Sequence, residues 1–271
     1  MSVRTLAQEQ KAQLIAREQA IAHQIDAAYS GMWRTLAHKL LRLLDEMQQA
    51  EQAAAARGVP FHALLWVKQI RRLDTLLASA QGDMHSFVQA ALQLVQGGLP
   101  WAVYHGQQDA QALMEASFDN RVGIRFGQPS AQALNQLSQR NVSFKGMTED
   151  AVTVVRRRLL AGLALGENPR SVARAIESGM RGVSRSRALT IARTEMVSSY
   201  RDAAILNYRA NSDVVRGWTW SAAPTACDIC LGLNGSHHSL SEEFESPHSQ
   251  CRCSPIPDTV SYDDILAGLV A

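Results

Sequence analysis

Apolar residues in the N-terminal part of the chain recur with the period of a helix. Ile25, Tyr29, Met32, Leu36, Leu40, Leu43 and Met47 follow one another at steps of three and four, which places them on one stripe. Ala, Gln, Glu, Leu and Arg fill the positions between, and no proline occurs from Val3 to Arg57. The pattern predicts one long helix, either an extended arm or the first leg of a helical bundle, closed by Gly58 and Pro60. A second helix is expected from about Phe61 to Ala80. A third starts at Asp83 as N-cap, turns Phe87, Ala91, Leu94 and Val95 inward and stops at Gly97-Gly98, and a fourth covers Trp101 to Phe118.

The stretch Asp119 to Ser130 is rich in turn residues and predicts a boundary. It separates a helical arm, residues 1–125, from a second region, 126–258, and a tail, 259–271. Within the second region Thr148 and Asp150 are expected to open a helix with Val152, Val155, Leu159 and Leu163 on one side and Arg156, Arg157 and Arg158 around the other. Asn168-Pro169 opens the next, which ends at Gly179 or Gly182. Ser184 starts a long helix whose packing face is Ala188, Ala192, Met196, Ser199, Ala203 and Leu206. After Ser212 the period changes to two, and Val214, Arg216, Trp218 and Trp220 share one face of a short strand. A second strand over Ser254 to Ile256 is confined to a sheet edge by Pro255 and Pro257. The fold class is therefore mainly α with a small β portion, a helical arm followed by a helical lobe that ends in a β-hairpin.

Composition narrows this picture. The chain has 271 residues, 46% of them apolar, enough for one large or two modest domains. It has no apolar run of about eighteen residues, and its N-terminus lacks the apolar core of a secretory signal, so no membrane anchor is expected and synthesis in a reducing cytoplasm is. The net charge of +2 is unevenly spread, with fifteen Lys and Arg against six Asp and Glu in residues 121–209 and two against eight in residues 210–271. Such a basic block suits phosphates, an acidic protein face, or simply a solvated helical surface.

The four cysteines carry the candidate chemistry. They fall as Cys227-x-x-Cys230 and, some twenty residues on, His248-x-x-Cys251-x-Cys253. Five donors, Cys227, Cys230, His248, Cys251 and Cys253, stand where a closed tetrahedral zinc site takes four. A disulfide or redox pair and reduced buried thiols are the alternatives. A zinc ion held by three or more thiolates would be structural and would staple the hairpin. His237 and His238 read as the exposed tip of the intervening loop. Trp218 and Trp220 read as cover for a small core, with stacking on nucleic-acid bases as the alternative. Glu195 has no second acid or base near it in sequence, and an ion pair with Arg252 is expected. The chain contains no HExxH, no phosphate-binding glycine loop and no GxSxG, and no His-x-Glu accompanies the thiols as zinc deaminases require. Catalysis is not expected.

Several of these segments occur together in a recognisable order. IARTEMVSSYRDAAILNY, then GWTW, CDICLGLNG and PHSQCRC resemble the phage head morphogenesis or minor head protein family, often called Mu F-like, over roughly residues 126 to 258. The resemblance implies a protein of the virion, inside the capsid or at its portal vertex, that passes through the host cytoplasm during assembly. Its implied partners are the portal protein and capsid or scaffold proteins, and the helical first half is the portal-docking part. The alternative from the residues themselves is a zinc-stapled module that binds nucleic acid without sequence preference.

Overall fold

A computed structural model describes residues 2–68, 71–118 and 126–261. Eight helices are defined among them: α1 Val3–Ala56, α2 Ala63–Lys68, α3 Arg72–Ser117, α4 Ala131–Ser138, α5 Met147–Ala164, α6 Pro169–Met180, α7 Arg187–Arg209 and the single turn α8 Asp228–Gly232. A π-turn, Arg181–Ser186, joins α6 to α7, and three strands, β1 Val215–Ser221, β2 His237–Ser239 and β3 Ser254–Thr259, complete the chain. The class is mainly α with a small β portion. In place of a hairpin, the strands form an antiparallel sheet of order β2-β1-β3. The expected boundary at Asp119–Ser130 and the expected tail fall largely on 119–125 and 262–271, outside the described residues.

The chain packs as two compact units, each drawn from separated stretches: Met1–Ala22, Leu94–Val142 and Thr190–Ala271 in one, His23–Gln93 and Ser143–Leu189 in the other. In the second unit the α1 stripe from Ile25 to Met47 is buried, and Tyr29 meets Phe87 edge to face at 5.6 Å. Lys39 bonds both oxygens of Asp83 at 2.9 and 2.7 Å, so Asp83 pairs a lysine rather than capping a helix. Gly162 lies against Val172 and Gly179 against Val154, which lets α5 and α6 approach closely. Gly179 therefore serves packing and not termination, and the helical run passes through it into the π-turn and α7. Asn168 caps α6 as expected, accepting the Arg170 amide. Gly146, at φ 77°, precedes α5 without any side-chain cap, where Thr148 and Asp150 were the expected openers.

The three helices expected between Phe61 and Phe118 are instead a short α2 and one long α3 that continues through Gly97, Gly98 and Pro100. The first unit shows why. Gly98 is buried, and a Cβ there would lie 2.5 Å from Ile21 and 2.6 Å from Met196. Its missing side chain serves contact with α1 and α7. Pro100 faces solvent, so the Gln96 carbonyl it leaves without a helical donor can be hydrated. About two turns beyond Gly98, Gly106 abuts the α7 backbone, with 2.2 Å from its would-be Cβ to the Tyr200 carbonyl oxygen.

The sheet covers the other side of α7. Trp218 and Trp220 are 1% and 2% exposed, stacked on Phe244 at 5.3 and 4.1 Å, in one core with Met114, Phe118, Tyr208, Cys230, Cys251 and Cys253. They belong to the core and are closed to nucleic-acid bases. A register shift between Val215 and Gly217 breaks the simple alternation. Arg216, expected on the tryptophan face, is exposed, and Val215 is buried in its place. The packing of α3 on α7 yields a paired expectation. Gly106→Ala should cost about 1–3 kcal/mol, since the carbonyl of Tyr200 has nowhere to retreat. Gly97→Ala, with nothing within 4 Å of its Cβ, should gain about 0.5–1 kcal/mol of helix stability. Urea unfolding of both variants checks the opposite signs.

Candidate metal centre

The site is assembled at the end of β1, where the chain makes one helical turn. Cys227 occupies the N-cap of α8 and Cys230 its third position, so both sulfurs lie on one side of the turn. The backbone amide of Cys230 donates to the Cys227 sulfur, which holds that thiol below its ordinary pKa. After β2 and a return loop, His248 brings Nε2 to 3.5 Å from the Cys227 sulfur and 3.3 Å from that of Cys230. Cys251 follows, its sulfur 3.8 Å from that of Cys230. Cys227, Cys230 and His248 form one mutual cluster within 4.8 Å, and Cys230, Cys251 and Cys253 form another. Cys230 belongs to both, so all five expected donors converge.

These separations can be compared with what a metal requires. Metal–sulfur bonds of about 2.3 Å and metal–nitrogen bonds of about 2.0 Å give tetrahedral edges of about 3.8 Å between sulfurs and about 3.5 Å from sulfur to nitrogen. The Cys230–Cys251 contact matches the first length and the two His248 contacts the second, three of the six edges of one tetrahedron. All four cysteines are free. Burial pushes the Cys230 thiol up to about 11. Cys251 is held down to about 5, mainly by a hydrogen bond from Cys253 and then by the Arg201 charge, and the same bond pushes Cys253 upward. A cavity of about 490 Å³ lined by Arg193, Thr225, Cys227, His248 and Gln250 gives the cluster access to solvent.

The backbone around the sulfurs is gripped by buried charge. Arg201 on α7 is 2% exposed, and its guanidinium donates to the carbonyls of Cys253 and Cys251, both at 2.7 Å, and to Ser246 Oγ at 2.5 Å, with Phe244 stacked against it at 4.4 Å. On the far side of the Cys-Arg-Cys turn, Arg252 donates through Nε to Glu18 at 2.9 Å. Arg193 donates to the other Glu18 oxygen at 2.9 Å and to Gln250 at 2.7 Å, and the Thr194 hydroxyl donates to the Ser249 carbonyl. The Ala-Arg-Thr-Glu run of α7 thus holds residues 249 and 250 directly. The expected partnership of Glu195 with Arg252 is corrected here. Glu195 lies 3.9 Å from Arg140, and Arg252 is taken by Glu18, a closer carboxylate only 2% exposed.

Three participants were not foreseen: Glu18, Lys11 and Arg201. Lys11, 4% exposed, donates to the Ser221 carbonyl at 3.1 Å, its hydroxyl at 3.2 Å and the Ala222 carbonyl at 3.2 Å. A signal for the first two exists in the sequence. Continuing the α1 stripe backwards from Ile25 passes through Ile21, Glu18, Leu14, Lys11 and Ala7, all buried. His237 and His238 are not donors. They form β2, where His238 stacks on Trp218 at 4.1 Å and bonds Glu242.

Two outcomes follow from this buried charge. Glu18→Ala leaves Arg193 and Arg252 without their carboxylate and should destabilise the protein by about 3–5 kcal/mol in denaturant titrations. Burial lowers the Lys11 pKa to about 8, from 10.5. Between those values the unfolded chain keeps a proton that the folded chain has shed, so the lysine's penalty is full below pH 8 and is relieved as pH rises to 10.5. The stability difference between wild type and Lys11→Met should shift toward wild type across that window, by up to about 3 kcal/mol.

No curated protein and no solved structure matches the chain. Residues 153–256 match the family model described as Phage Mu protein F like protein. The matched span holds all five donors, the Ala-Arg-Thr-Glu helix, Arg201 and Arg252, and leaves Glu18 and Lys11 outside. The segment that builds this centre is thus similar to the Phage Mu protein F like family.

Proposed function

We propose that the protein is a phage minor head protein that docks on the portal vertex and acts in capsid assembly or genome delivery, its C-terminal lobe fixed by one structural zinc ion. The observation that carries the reading is the family match across the very segment where five donors converge. In this reading Cys227, Cys230, His248 and Cys251 hold the ion, since the contacts of His248 with Cys227 and Cys230 and of Cys251 with Cys230 have the length of three of the six tetrahedral edges, and the ion draws Cys251 toward the other two donors while Cys253 stays beside them as a buried thiol. Four protein donors leave no coordination position for substrate, which supports a structural and non-enzymatic role. When bound, the ion draws the two ends of the segment together and neutralises the thiolates.

Partners in this reading are the portal ring and, beside it, capsid or scaffold proteins, with the virion as final location and the host cytoplasm as the place of assembly. No described helix is long and apolar enough to cross a membrane. The nucleic-acid reading retains one observation, the exposed arginines Arg156, Arg157, Arg158, Arg170 and Arg174 of α5 and α6, and loses the two tryptophans.

Two measurements test the proposal. Metal analysis should find one zinc per chain, lost in Cys227→Ser, Cys230→Ser, His248→Ala and Cys251→Ser and retained in Cys253→Ser. Co-sedimentation with the portal ring of the same phage should persist at high salt. Absence of portal binding, together with salt-sensitive binding to plain duplex DNA, would replace it with the nucleic-acid reading.

A further inference from the structure

The buried stripe of α1 within the first unit is Ala7, Gln10, Lys11, Leu14, Glu18 and Ile21, and half of it is polar. A helix with so few apolar anchors depends on where its polar groups find partners, because burying them unpaired is costly. Gln10 donates to the Asp109 carbonyl of α3 at 3.2 Å. The other two reach the cysteine cluster. Lys11 holds the carbonyls of Ser221 and Ala222, and the next residue, Ala223, donates its amide to the Cys253 sulfur. Glu18 holds Arg252, the residue between Cys251 and Cys253, and Arg193, which in turn holds Gln250.

From this arrangement we infer that metal loading of the cysteine cluster controls the docking of residues 3–22 of α1, with Glu18 and Lys11 as the clamp. The inference rests on the metal reading above. With the donors drawn together, the turn 251–253 and the stretch 221–223 are fixed, and both clamp residues find their partners in place. Without that fixation the turn keeps only its contacts to Arg201 and Glu18 and loosens. Glu18 and Lys11 then gain more from water than from partners that move, and the N-terminal part of α1 opens while its neighbours on α3 remain packed. Nothing in this coupling requires a covalent step.

Hydrogen exchange on the full chain tests it, with metal content measured on the same samples. Wild-type protein is compared zinc-loaded and after exhaustive chelation. Amides of residues 7–21 should exchange on the order of tenfold faster without metal, while those of residues 99–114 on α3 change less than about threefold. Zinc-loaded Glu18→Gln should exchange over residues 7–21 at the rate of metal-free wild type while keeping its zinc. Lys11→Met, which keeps the packed volume, should behave in the same way and serves if Glu18→Gln does not fold. Metal-bound and metal-free wild type with equal exchange in α1 would overturn the clamp and leave the metal reading standing. Equal loosening of α1 and α3 would also overturn it, since the opening would then be general. A chain that retains no metal at all would remove the clamp and the metal reading together.

Discussion

Glu18 is a carboxylate with almost no access to water, and the fold around it is arranged to give it two arginines. One comes from α7, the other from the turn between Cys251 and Cys253. Burial of that kind fixes geometry even where it adds little net stability, because an arrangement that separates the three charges strands each of them in the interior. Arg201 acts in the same way from the opposite side, satisfying the carbonyls of the two cysteines with a guanidinium that cannot shed its charge. Held between these two arginine contacts, the Cys-Arg-Cys turn presents its sulfurs to Cys230.

This division of labour explains features that look unrelated in the sequence. Arg193 and Thr194 of the Ala-Arg-Thr-Glu run position the residues just before the turn, and Arg201, two helical turns on, positions the turn itself. The tryptophan strand supplies the apolar floor, with Phe244 between the indoles and the buried guanidinium. The cysteine cluster, the sheet and α7 thus form a single packed object. The first part of α1 is attached to it by hydrogen bonds and ion pairs more than by apolar contact.

How much of this the sequence disclosed depended on whether the signal was local. The α1 stripe, the Asn168-Pro169 cap and the tryptophan strand are local patterns, and each stands in the structure; the spacing of the four cysteines and His248 is local too, and these five residues converge. Gly97, Gly98 and Pro100 misled because a glycine needed for close approach to Met196 and Ile21 has the same letter as one that ends a helix. β2 escaped because its two histidines read as loop, and only their cross-strand partners, Thr219 and Trp218, make them a strand. Glu18 was hidden among exposed polar residues such as Glu9, Gln13 and Gln19. Its phase on the stripe marked it as inward, but which residue would receive it lay more than two hundred positions away.

X-ray absorption at the zinc edge of the purified protein addresses the central claim most directly. A centre built from Cys227, Cys230, His248 and Cys251 gives three sulfur neighbours at about 2.3 Å and one nitrogen at about 2.0 Å. A first shell of oxygen and nitrogen alone, or a preparation of folded protein with no zinc edge, would contradict it.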